Sequence, residues 1–138
     1  MSDLDLAGSS SAALVVDCSV IIDALIGDAD VRSRALLGER PLAAPALLDY
    51  EVMSALRRLA VSGAIGVSDA TEALGLFGEM EIDRHAPGLM RARIWAMRHT
   101  ITTYDAAYVS LAEALGIALF TADERLAKAA AAYCEVVW

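Results

Sequence analysis

Short apolar runs with no alternation, separated by helical stretches, limit most severely how this chain can fold. The clearest is Leu14-Val15-Val16, which ends in Asp17; a second is Ala118-Leu119-Phe120, which stops three residues short of Asp123. Continuous apolar character over so few residues calls for burial on both faces. That is the environment of a strand in a parallel sheet covered by helices on each side. Leu42-Ala43-Ala44 before Pro45, Glu81-Ile82-Asp83 and Glu135-Val136-Val137 complete a set of five expected strands. Between them the pattern predicts helices over 20–25, 31–37, 45–62, 68–77, 87–99, 104–115 and 124–132. Gly63 and Gly116 stand where helices should end, Ser68 where one should begin, and Pro87 at a first helical position. Strands alternating with helices imply βαβ crossovers, so the expected fold class is α/β, a three-layer α/β/α domain on a mostly parallel five-stranded sheet.

The 138 residues suffice for one domain. Residues 1–13, polar and rich in Gly and Ser, read as a flexible tail, and 14–138 as the folded domain. Apolar residues make up 57% of the chain, much of it Ala and Leu, which suits helices packed on a buried sheet. No apolar run reaches the length of a membrane span, and the N-terminus lacks the basic and apolar regions of a secretion signal, so a cytoplasmic location is expected. Cys18 and Cys134 then read as two reduced thiols, and neither a CxxC nor a Cys/His pattern suggests zinc.

Four acids fall where an α/β sheet puts its ligands, beyond the carboxyl ends of the strands. Asp17 closes the first strand, Asp123 follows the fourth, Asp105 opens a helix and Glu51 lies in the second turn of another. At 100° per residue Glu51 borders the apolar stripe of Leu48, Val52, Ala55 and Leu59, at the rim of the buried face. A carboxylate there needs a partner or a metal. Each acid also has a local explanation. Thr102-x-x-Asp105 and Thr121-x-x-Glu124 fit capping boxes, with Asp123 in a first turn, and Asp17 fits a turn. Four such coincidences at one sheet edge are harder to accept than one.

These residues carry a resemblance. Val15-Val16-Asp17-Cys18-Ser19, Asp49-Tyr50-Glu51-Val52, Thr103-Tyr104-Asp105-Ala106-Ala107-Tyr108 and Phe120-Thr121-Ala122-Asp123-Glu124-Arg125-Leu126 resemble, in order and spacing, the PIN-domain family, and especially VapC-like toxins. The resemblance spans about residues 14 to 138. It implies a five-stranded parallel sheet, ribonuclease activity on single strands with Mg²⁺ or Mn²⁺, a homodimer and silencing by a VapB-like antitoxin. Residue by residue it implies that Asp17, Glu51, Asp105 and Asp123 are the catalytic and metal-holding acids. Ser19 and Thr121 match hydroxyl positions that steady them.

The chemistry agrees with that implication. Hard divalent cations prefer oxygen ligands, and they supply both charge stabilisation and an activated water for phosphodiester hydrolysis. The net charge of −8 opposes binding of an RNA backbone unless metal ions or clustered arginines offset it, and it would attract a basic partner. Arg57 and Arg58, which follow Glu51 on its helix, and Arg91 and Arg98, which share a helix face with Trp95 adjacent to it, are the candidate RNA contacts; a solvated helix face explains the second pair better. Met53, Met80, Met90 and Met97 read as core filler. Two other functions use the same layers. One is a phosphotransfer domain of receiver or phosphatase type, disfavoured because the single lysine, Lys128, lies in the last helix rather than near a strand end. The other is an inactive RNA-binding or scaffold module, which four intact acids argue against.

Overall fold

A computed structural model describes residues 12–27 and 29–138, so nearly all of the expected tail, 1–13, lies outside the described residues. The elements run β1 (Leu14–Val16), α1 (Cys18–Ile26), α2 (Val31–Glu39), β2 (Leu42–Pro45), α3 (Leu48–Val61), α4 (Val67–Glu79), β3 (Ile82–His85), a 3₁₀ turn (Gly88–Met90), α5 (Arg91–Ala96), α6 (Thr103–Leu115), β4 (Ala118–Phe120), α7 (Glu124–Ala130) and β5 (Val136–Val137). The sheet order is β3-β2-β1-β4-β5, and every ladder is parallel. β1 lies at the centre, with Leu14, Val15 and Val16 all fully buried. The chain leaves β1 toward β2 on one side and returns as β4 on the other. Strand connections therefore diverge between β1 and β4, which opens a crevice at their carboxyl ends.

Helices cover both faces, as the continuous apolar strands require. α1, α3 and α4 pack on one another, and α6 lies along β1, β2 and β4 with α5 behind it. α6 is buried from Ala106 to Ala112 without interruption, which its alanines and Ser110 permit by letting backbones approach closely. Thr102 caps it by accepting from the Asp105 N–H, and Gly116, at φ 66°, ends it in the left-handed conformation that other residues resist.

Four expectations change. α4 begins at Val67 with Gly66 as its N-cap, so Ser68, expected to open it, lies inside its first turn. Pro45 is the last residue of β2, paired with His85, and the helix begins only at Leu48. The lost N–H of a proline is harmless at a strand end, and the following Ala46 N–H donates to the His85 carbonyl at 2.9 Å. Helix 87–99 breaks into the 3₁₀ turn and the six residues of α5, since the chain after Ala96 turns sharply and Thr100 and Ile101 both donate to the Met97 carbonyl. Of the methionines, Met90 and Met97 are core, whereas Met80 is only half-buried and Met53 is exposed on α3.

Candidate active site

Asp17 sits at the carboxyl end of β1 as the N-cap of α1, 5% exposed, its Oδ1 accepting from the Val20 N–H. Two hydroxyls hold the carboxylate. Ser19 Oγ donates to Oδ1 and Thr121 Oγ1 to Oδ2, each at 2.6 Å. The same hydroxyls accept from the far side: Ala122 N–H donates to Ser19 and Asp123 N–H to Thr121. Each hydroxyl has one proton, and Asp17 takes both, so the 3.3 Å approach of Ser19 to Thr121 is mere proximity. This net stitches the exit of β1 to the exit of β4 across the crevice.

Glu51, in the first turn of α3, receives the Tyr108 hydroxyl of α6 on Oε1 at 2.5 Å. Asp105 is the third residue of α6, and its Oδ2 accepts from Arg125 Nη1 at 2.8 Å. Asp123 is the N-cap of α7, accepting from the N–H groups of Arg125 and Leu126, while its Oδ2 meets Arg125 Nη2 at 3.3 Å. The cap is thus Asp123 itself; Thr121, expected in that role, turns to Asp17 instead because the crevice offers it a buried carboxylate.

All four acids line one cavity of about 460 Å³, together with Ser19, Cys18, Asp23, Tyr108, Arg58 and Arg125. Five carboxylates face two guanidiniums there. Burial, reinforced by the neighbouring Asp123 charge, pushes the Asp17 carboxyl up despite its hydroxyl donors. Burial likewise raises Glu51, with the charges of Asp17 and Asp105 adding to it, while the Tyr108 bond and Arg58 oppose. Tyr108 is held well above the ordinary phenol value by burial and by its bond to Glu51, so its hydroxyl stays a donor. Burial and the Glu51 and Asp17 charges push the Cys18 thiol up to about 12, which keeps it protonated.

Such a donor set, carboxyl oxygens with a protonated thiol beside them, suits a hard divalent cation. Among the described residues, no three acids stand closed around a single point: Asp17 faces its hydroxyls, and Asp105 and Asp123 face Arg125.

Of the expected RNA contacts only Arg58 reaches the cavity, where Nη1 donates to Ser54. Arg57 faces a separate groove between α3 and α4. Arg91 and Arg98 lie off the cavity and share no helix face, because α5 stops at Ala96; Arg98 instead stacks on Trp95, which is 68% exposed. Tyr108 and Arg125 are additional to the expected site residues. Both lie within the matched motifs, but Glu51 is 57 residues from Tyr108 and Asp105 is 20 from Arg125, distances at which spacing carries no signal.

The comparisons with known proteins agree with this geometry. The family profile described as PIN domain matches residues 14–132. The chain is 39% identical over 123 residues to Ribonuclease VapC9 of Mycobacterium tuberculosis, covering 89% of this chain and 95% of that one. It is 42% identical over 126 residues to Ribonuclease VapC1 of the same organism, covering 88% and 94%. Among solved structures, PAE2754 from Pyrobaculum aerophilum matches with a TM-score of 0.68 at 24% identity, over 93% of this chain and 90% of that one. The Rickettsia felis VapBC2 structure matches at 0.60 and 12% identity, over 91% and 97%. Similarity over nearly the full length, with the acids gathered at the crevice where β1 and β4 part, places the chain in the PIN-domain family, among the VapC ribonucleases.

Proposed function

We propose that this ribonuclease hydrolyses RNA internally with divalent cations, Mg²⁺ or Mn²⁺, held by Asp17, Glu51, Asp105 and Asp123. The observation that carries the reading is the convergence of four acids from four separate elements on one cavity at the sheet's carboxyl edge. Bound there, the ion supplies charge neutralisation on the phosphoryl group and a more acidic water. The protein does the rest. Ser19 and Thr121 fix the Asp17 carboxylate in one orientation, and Tyr108 fixes Glu51, as hydroxyls around ligating carboxylates do. Burial raises the Glu51 carboxyl, which favours its taking up a proton. Arg58 on the α3 wall is positioned for a phosphate oxygen entering the cavity.

The net charge of −8 makes this reading depend on cations for RNA binding, and it favours a basic inhibitory partner. A VapB-like antitoxin fits, and the fold neighbour from Rickettsia felis is titled as a VapBC2 structure. A homodimer and a cytoplasmic location complete the proposal; no helix among the described residues is long and apolar enough to cross a membrane. The phosphotransfer reading finds no support, because Lys128 pairs with Glu124 on the exposed face of α7 and does not line the cavity.

The test is cleavage of a fluorogenic single-stranded RNA by the purified chain. Activity should need Mg²⁺ or Mn²⁺, vanish with EDTA and be lost in Glu51→Gln and Asp105→Asn. Full cleavage in EDTA, or by both variants, overturns the assignment.

A further inference from the structure

The acids of the cavity are neutralised in two different ways. Asp17 and Glu51, at its deep end, are held by uncharged hydroxyls from Ser19, Thr121 and Tyr108. Asp105 and Asp123, at the rim, share a cation: Arg125 bridges them, one guanidinium nitrogen at 2.8 Å from Asp105 and another at 3.3 Å from Asp123. A cation between these two carboxylates occupies the place an incoming metal ion would need.

We propose that Arg125 is a displaceable counter-cation, which seals the rim of the acidic site in the metal-free protein and which a divalent ion must dislodge to engage Asp105 and Asp123. The inference rests on the assignment of those acids as metal-holding. Three features make the guanidinium dislodgeable rather than fixed. Its side chain is 66% exposed, so each ion pair is screened by water. It hangs on four rotatable bonds from the first turn of α7, whose backbone N–H already satisfies Asp123, so Asp123 keeps its cap when the side chain leaves. The Asp105 side chain is only 18% exposed and lines the cavity wall, so its surroundings as well as Arg125 hold it there. Arg58 provides the contrast within the same cavity. It carries the same charge, but its Nη1 donates to the Ser54 hydroxyl and bridges no two carboxylates, so removing it leaves no carboxylate pair unbridged.

Two exposed pairs of this kind correspond to a change on the order of 3- to 10-fold in ion affinity. Isothermal titration of Mn²⁺ into the EDTA-stripped full chain at low salt reads it directly. Arg125→Gln should bind Mn²⁺ 3- to 10-fold more tightly than the unsubstituted protein, and Arg58→Gln distinctly less so. In the unsubstituted protein, ¹⁵N-detected arginine side-chain spectra should show the Arg125 guanidinium losing its bonded signature as diamagnetic Mg²⁺ is added. Unchanged or weaker Mn²⁺ binding in Arg125→Gln overturns the proposal, as does an equal gain in both variants or an Arg125 signal indifferent to Mg²⁺. If the unsubstituted protein binds the ion but Arg125→Gln gains nothing, only this proposal fails. If no variant binds Mn²⁺ at all, the metal-site reading fails with it.

Discussion

Replacing Asp17 by Asn separates what the site contributes to folding from what it contributes to chemistry. The carboxylate is 5% exposed and accepts two short hydroxyl bonds and one backbone N–H. A charge-assisted bond of this type contributes about 1.5–3 kcal/mol. Against it stands a desolvation cost of several kcal/mol for a buried ion. The raised Asp17 pKa shows which is larger: without metal, the fold disfavours the ionised form. Asn keeps the shape, loses the charge, and lets Ser19 and Thr121 rotate to serve an amide. In EDTA the variant should therefore melt at the same temperature as the parent or a few degrees higher. Metal reverses the order. An ion at 100 times its dissociation constant adds about 2.7 kcal/mol to the parent, or roughly 8–12 °C for a domain of this size. The variant should gain less than about a third of that, and its RNA cleavage should fall by at least about 100-fold, the scale of losing one electrostatic stabiliser. Thermal melts with EDTA and with saturating Mn²⁺, beside the cleavage assay, read all three quantities. A variant that unfolds in EDTA would make Asp17 a structural residue; one that keeps the full metal-induced rise, or cleaves within about 3-fold of the parent, refutes the argument.

Further outcomes can be checked on the same material. Tyr108→Phe removes the 2.5 Å bond that holds Glu51; cleavage should drop by about 10-fold with a melting loss of only a few degrees, and an unaffected rate would remove Tyr108 from the site. For pH, Asp17 is raised, so its share of metal-free stability is fully present below the ordinary carboxylate value and is lost as pH climbs through the elevated one. The melting advantage of Asp17→Asn over the parent in EDTA should accordingly be absent near about pH 4 and grow toward about pH 7; a gap that shrinks instead contradicts the burial argument. With its thiol pushed up to about 12, Cys18 should be roughly 0.01% thiolate at about pH 8 and should react with a disulfide reagent orders of magnitude more slowly than free cysteine. Rapid labelling of Cys18 in the folded protein would show its surroundings to be more open than described.

How far the sequence alone determines an element depends on how local the cause is. Val15 is apolar between apolar neighbours, so a strand buried on both faces follows from composition over three residues, and the acid that ends the run follows from the chain having to leave the sheet there. Thr102 and Gly116 bound α6 because capping and left-handed backbone are decided within one turn. The start of α3 was not legible in the same way: Pro45 suits both a first helical turn and a strand end, and only its pairing with His85 chooses. Likewise 87–99 has a helical composition, and its break after Ala96 depends on α5 packing against α6.

The candidate site divides along the same line. That acids would follow β1 and β4 is a matter of neighbouring residues. That Thr121 serves Asp17 rather than its own helix, that Tyr108 meets Glu51, and that Arg125 spans Asp105 and Asp123 are matters of which strands lie side by side and how the helices are rotated on them. Hydrogen bonds reach about 3 Å while the residues they join lie as much as 104 positions apart, so local pattern names the reacting groups and only the packed sheet chooses their partners.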